Sequence, residues 1–299
     1  MGGVVGLIAG GGALPLALAR GARARGRRVT ALAFRGTTHP EIEALVDSVV
    51  WIYPGQVSAA LDALEAAGAG EAVLAGAISK SALLSGGESL QLDARARAEL
   101  GALPDRRDET LYGAILAVLA ERGIRLLAQM ELAPELLGGE GPLGSAQPTQ
   151  SQQRDFRVGW RAARALAALD VGQTVVVKQG SVVALEAAEG TDSALRRGGS
   201  LAPGACAVKM ARPQQDPRFD LPTLGPETAR VAVESGIAAI AFEAGRTLVL
   251  ERERLREIAD AAGVPVVGWT EDAAAGSTSG AGTSGAENSR ADDRAHTKR

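Results

Sequence analysis

Three short stretches of this 299-residue chain gather the residue types that can do chemistry. The first is Gly6-Leu7-Ile8-Ala9-Gly10-Gly11-Gly12-Ala13-Leu14-Pro15, in which glycines separate an apolar run from a helix-starting proline. Glycines at such a junction let backbone amides approach a phosphate, whose charge the helix N-terminus favours. Pro15 suits a first helical turn, where its missing N–H costs nothing. Gly10, Gly11 and Gly12 are therefore candidate phosphate contacts, with a plain strand-to-helix turn as the alternative. The dinucleotide fingerprint would need a third glycine where Pro15 stands and an acid after the second strand, where Arg35 stands; the Walker lysine is absent too. The second stretch is Glu186-Ala187-Ala188-Glu189-Gly190-Thr191-Asp192. Either Thr191 or Asp192 caps a helix beginning at Ser193, or these groups hold a metal or a ribose. The third and densest runs from Lys209 to Pro226, with four prolines and no helical period. Its Lys209, Arg212 and Arg218 suit anionic oxygens, while Asp216 and Asp220 can orient water or bind a hard cation.

What the chain lacks narrows the chemistry further. It has one cysteine, Cys206, and two histidines, His39 and His296. A disulfide framework and a structural zinc site are both excluded, and a lone cysteine suits a reducing cytoplasm. His296 sits in a polar tail, so a histidine-dependent nucleophile would have to rest on His39. A net charge of -3 gives no support to nucleic-acid binding. Residues 1–36 nevertheless hold six arginines (Arg20, Arg23, Arg25, Arg27, Arg28, Arg35) and no acid. They read as a solvated helix face or, together, as a field for an anionic substrate or membrane surface.

The elements that must position these groups follow from hydrophobic periodicity. Apolar runs at 4–9, 29–34, 49–53 and 72–75 alternate with helical patterns, which indicates βαβ units and a parallel sheet. Glycines and prolines crowd 138–150, beyond which a helix at 155–169 and a hairpin turning at Gln179-Gly180 begin a second, mixed-sheet unit. The expected organisation is an N-terminal Rossmann-like α/β domain (1–137), a linker (138–150), a C-terminal α/β catalytic domain (151–270) and a disordered tail (271–299). Only 3% of residues are aromatic, so the cores must be built from Ala, Val, Leu and Ile. No apolar run is long enough to span a membrane, and no signal peptide is read.

Taken together, Gly6 to Pro15, Leu169-Asp170-Val171-Gly172-Gln173, Glu189-Gly190-Thr191-Asp192, Asp220-Leu221-Pro222-Thr223-Leu224-Gly225 and Glu243-Ala244-Gly245 resemble the LpxI family. These are metal-dependent UDP-2,3-diacylglucosamine pyrophosphatases of lipid A biosynthesis. The resemblance spans roughly residues 4–268. It implies two α/β domains with the active site between them and cleavage of UDP-2,3-diacylglucosamine to UMP and 2,3-diacylglucosamine 1-phosphate. It also implies an enzyme of the cytoplasm, peripheral to the inner-membrane surface where the substrate resides. Asp220 carries over as the essential aspartate, as metal ligand or general base, with Mg²⁺ as cofactor and Mn²⁺ as its substitute. Lys209 and Arg218 fall in as charge stabilisers. Gly10, Gly11, Gly12, Ser79, Thr191, Asp192 and Arg212 are the expected substrate contacts. After Gly76-Ala77-Ile78-Ser79 the chain reads Lys80-Ser81-Ala82-Leu83-Leu84, where a more proline-containing pattern is expected. A homodimer is compatible with this sequence. An NAD(P)-linked oxidoreductase and a non-enzymatic nucleotide-binding protein remain the alternatives.

Overall fold

A computed structural model describes residues 3–77, 90–105, 107–213, 216–219, 221–271 and 273. The tail beyond 273, Ser79 and Asp220 lie outside the described residues.

Five short parallel strands form the first sheet: β1 (Val4–Ala9), β2 (Arg28–Phe34), β3 (Ser48–Ile52), β4 (Ala69–Ala75) and β5 (Arg125–Leu126), in the order β3-β2-β1-β4-β5. Every neighbouring pair is parallel, as apolar runs buried on both faces require. Strand period decides which face each residue serves. Val5, Leu7 and Ala9 pack with Leu14, Leu18 and Ala22 of α1 (Leu14–Ala24). Val4, Leu32 and Phe34 face the other way, toward Leu61 and Leu64 of α2 (Val57–Ala66). That second face also takes Val118 and Leu119 of a later helix, 108–121. Fully burying side chains of this size contributes roughly 1.5–3 kcal/mol each, which is how a core almost without aromatic rings holds.

The second sheet has six strands and mixed directions. Its centre is the parallel set Cys206–Lys209, Ala239–Glu243 and Val266–Trp269, joined on one side by the antiparallel hairpin Thr174–Lys178 and Ser181–Leu185. Gln179 and Gly180 turn that hairpin with φ of 49° and 78°, and the buried Asp155 carboxylate accepts both of their amide protons. The helix Gln150–Ala168 covers one face through Phe156, Trp160 and Ala163, against Val175, Val177 and Val208. It starts five residues before the expected Asp155, because Thr149 caps it and Gln152 completes a capping box. The stretch 138–150 includes an edge strand, Gly141–Pro142, paired with Val267 and Gly268.

Between the two sheets lies a two-stranded parallel ribbon, Thr223–Leu224 with Leu248–Val249. Its side chains divide between the two cores. Leu221, Leu248 and Leu250 belong to the first, while Leu224 and Val249 belong to the second. Residues 221–224, which directly follow Asp220 in the chain, are thereby anchored in both halves.

Candidate functional site

The three glycines of the first loop do three different things. Gly10 N donates to Ala75 O at 2.7 Å and Gly11 N to Ala77 O at 2.9 Å, so these two amides tie the loop to the end of β4. A Cβ on Gly10 would sit 2.7 Å from Ala77 O and 2.8 Å from Gly76 O, so its absence is what allows the two chain segments to touch. Gly12 is different. It has φ of +84°, nothing lies within 4 Å of where its Cβ would be, and its amide has no partner among the described residues. Ala13 caps α1 without any side-chain hydrogen bond, leaving the first amides of the helix open beside Gly12. Of the expected phosphate contacts in this loop, the geometry leaves Gly12 able to act through its amide, while Gly10 and Gly11 shape the loop.

A cavity of about 600 Å³ opens at this loop and runs between the sheet and the helices of its second face. Its wall is apolar almost throughout, including Ile8, Leu61, Leu74, Leu100, Ile115 and Val118. Leu221, Thr223 and Leu250 of the interdomain ribbon close one side. The neighbours of Asp220 in the chain are thus placed: Leu221 lines the cavity, and Phe219 stacks on Tyr112 with ring centroids 4.4 Å apart.

A second group gathers at the carboxyl edge of the second sheet. Lys209 ends its strand only 8% exposed, and its ammonium donates to Thr191 Oγ1 at 2.7 Å. Thr191 in turn donates to Glu186 Oε1 at 2.9 Å. Thr191 opens the helix Thr191–Leu201, whose cap is Gly190 at φ of +83°, with no side-chain cap bond. This corrects the expected start at Ser193 and the expected capping role of Thr191 or Asp192: both lie inside the first turn. The Lys209 ammonium has one protein partner among the described residues for three N–H donors. The chemistry of a buried cation with so few protein partners, beside open helix amides, suits anionic oxygen.

The described residues of the loop after Lys209 are tied down by hydrogen bonds and ion pairs. Glu243 accepts from Ala211 N at 2.9 Å, and Arg246 donates to Arg212 O at 2.6 Å. Arg212 pairs with Asp170 at 2.7 Å. Asp216 takes the Arg218 guanidinium through Nε at 2.9 Å and also accepts from the Arg218 amide at 3.0 Å. That hydrogen-bonded guanidinium holds the Asp216 carboxyl below its ordinary value. Cys206 is no nucleophile, since burial, reinforced by Asp155, pushes its thiol up to about 12. His39 Nδ1 accepts from Glu41 N, at the start of a 3₁₀ turn.

The structure thus joins Lys209 with Thr191, gives Arg212 and Arg218 acidic partners, and leaves Gly12 as the open member of the glycine loop. Asp170, Glu186, Glu243 and Arg246 were given no role from the sequence. Asp170, Glu186 and Glu243 lie inside the quoted motifs, which hinted at one, while Arg246 lies in none of them. Among the described residues no three Asp, Glu, His or Cys side chains form a cluster able to hold a metal. No described helix is long and apolar enough to cross a membrane.

Residues 4–136 match the model of the LpxI N-terminal domain, and residues 139–267 match that of the LpxI C-terminal domain. The chain is also 33% identical over 276 residues to a Caulobacter vibrioides protein named UDP-2,3-diacylglucosamine pyrophosphatase LpxI, covering 88% of this chain and 96% of that one. The chain belongs to the LpxI family. As an LpxI-family member it is a hydrolase, and the motifs on which the resemblance rested fall on both matched domains.

Proposed function

We propose that this chain hydrolyses the pyrophosphate of UDP-2,3-diacylglucosamine to UMP and 2,3-diacylglucosamine 1-phosphate. The observation that carries the reading is the apolar cavity of about 600 Å³ that begins at the Gly12 amide and is closed by Leu221 and Thr223. A soluble nucleotide has no use for such a wall, whereas two acyl chains attached to a phosphorylated sugar fill it and leave their polar end at the glycine loop. An NAD(P) site fits poorly, since Arg35 follows β2 where a ribose-binding acid belongs.

Hydrolysis places one water against one phosphorus while the other phosphate departs. Gly12 and the first amides of α1 hold non-bridging oxygens, and Lys209 offsets charge as the bridging oxygen leaves. Asp220 takes the water's proton or binds the metal. Mg²⁺ characteristically uses one or two carboxylates together with substrate phosphate oxygens, so Asp220 and the substrate's pyrophosphate would be the groups to hold it. Bound there, it would supply Lewis-acid polarisation of the phosphoryl oxygens. The substrate's acyl chains imply work at the inner-membrane surface from the cytoplasmic side.

The test is a paired measurement of turnover and substrate binding in Asp220→Ala and Asp216→Ala. Asp220→Ala should lose several powers of ten in turnover and keep its affinity. Asp216→Ala should lose far less, because it frees Arg218 without touching the water. A dead Asp216 variant beside an active Asp220 variant would overturn the assignment.

A further inference from the structure

Among the described residues, polar side chains in the wall of the apolar cavity come from Glu99, Tyr112, Gln129 and Thr223. Of these only Gln129 is buried, at 2% exposed. It opens the short helix Gln129–Leu132, just past β5 at the carboxyl edge of the first sheet. Its Nε2 donates to Leu74 O at 2.9 Å. A carbonyl can be met only by a donor, so this bond fixes which end of the side-chain amide faces β4, and the other end is an acceptor. That acceptor, Oε1, is shielded from solvent and has no hydrogen-bond partner among the described residues. Nearly all buried acceptors are met, so an orphan in a cavity wall marks the place of a donor that arrives with the ligand.

The place of Gln129 in the fold selects that donor. Leu74 and Ala75 are consecutive residues of β4: Leu74 O takes the Gln129 side chain, and Ala75 O takes the Gly10 amide at 2.7 Å. Gln129 and the glycine loop therefore flank the end of one strand. In the substrate proposed above, the sugar carbon C1 bears the phosphate, and its neighbour C2 bears an acyl chain. In a glucosamine that chain is joined through an amide, which carries an N–H, whereas the chain on C3 is joined through an ester, which carries none. The 4- and 6-hydroxyls are donors too, but they lie farther from the phosphate and belong to no acyl chain. We propose that Gln129 Oε1 accepts the N–H of the 2-acyl amide, so that Gln129 selects an amide-linked over an ester-linked chain at that carbon. The proposal rests on the pyrophosphatase reading and adds to it what the site demands of the lipid half. An amide that enters an apolar cavity needs a partner for its N–H, and Gln129 supplies one where the rest of the buried wall is hydrocarbon or backbone.

The experiment measures kcat/KM of the full chain, as UMP release, on two substrates with the same acyl chains. One is UDP-2,3-diacylglucosamine, and the other is UDP-2,3-di-O-acylglucose, in which an ester oxygen replaces the amide nitrogen. Wild type should prefer the amide by about tenfold or more, because the ester leaves the buried acceptor unmet. Gln129→Met keeps the length of the side chain and removes the acceptor. It should lose that factor on the amide, hydrolyse the two substrates nearly equally and leave inhibition by UMP unchanged. Both substrates are measured on one preparation, so their ratio does not depend on how much of the variant folds, and the wild-type comparison stands without any variant. Equal rates on the two substrates by wild type, or a preference that survives in Gln129→Met, overturns the role of Gln129 and leaves the pyrophosphatase reading standing. Absence of UMP release from either substrate by wild type overturns both.

Discussion

Replacing Lys209 with methionine separates what this side chain does for the fold from what it does for the reaction. Lys209 is 8% exposed, and among the described residues its ammonium makes one hydrogen bond, to Thr191 Oγ1 at 2.7 Å. Taking an ammonium out of water costs several kcal/mol, and one charge-assisted hydrogen bond returns about 1.5–3 kcal/mol. Methionine keeps most of the apolar stem, and Thr191 keeps its bond to Glu186. The stability of the variant should therefore equal or exceed that of wild type, with a melting temperature no lower than that of wild type. Catalysis should suffer in the opposite direction. Removing one preorganised positive donor from a developing phosphate charge costs on the order of a hundred- to a thousandfold in turnover, about 2.7–4 kcal/mol. Thermal unfolding by circular dichroism and UMP release measured on the same preparation give both numbers. Turnover within a few-fold of wild type, or a loss of stability large enough to account for the lost activity, would refute the reasoning.

Two further substitutions probe the walls of the site. Gly10→Ala should destabilise the chain and lower its expression, because the new Cβ meets Ala77 O and Gly76 O below 3 Å. Gly12→Ala meets nothing but forces alanine to φ of +84°, about 1–2 kcal/mol of strain, so it should fold and lose turnover; paired melting and kinetic measurements distinguish the two. Ile115→Trp narrows the apolar cavity and should raise KM for the diacylated substrate while leaving inhibition by UMP unchanged, and an equal change in both would show that the acyl chains lie elsewhere.

The two sheets were legible because their signals are local. Runs such as Val4 to Ala9 and Thr174 to Lys178 are strands by composition, and Gln179-Gly180 is a turn by conformation. The glycine loop was legible as a place, but not residue by residue. Nothing in the spacing of Gly10, Gly11 and Gly12 shows that two of their amides bond to the end of β4, some sixty-five residues away. The apolar run Leu248 to Leu250 reads as a strand, but its partner Thr223–Leu224 was invisible for a similar reason: a two-residue strand has no period, and the pairing is set by packing against two cores. The Lys209–Thr191–Glu186 chain could be suspected from its residue types, yet its order of donors is a tertiary fact. Asp155, a charged residue on an apolar helix face, gave no hint that it pins a hairpin turn.

The central claim is that the chain breaks a pyrophosphate bond in a nucleotide-linked, doubly acylated sugar. Its most direct test is incubation of the purified chain with UDP-2,3-diacylglucosamine, with and without Mg²⁺, followed by quantification of UMP and the lipid phosphate. The account predicts equimolar UMP and 2,3-diacylglucosamine 1-phosphate that depend on Mg²⁺. No UMP under either condition, or release of intact UDP in its place, would contradict it.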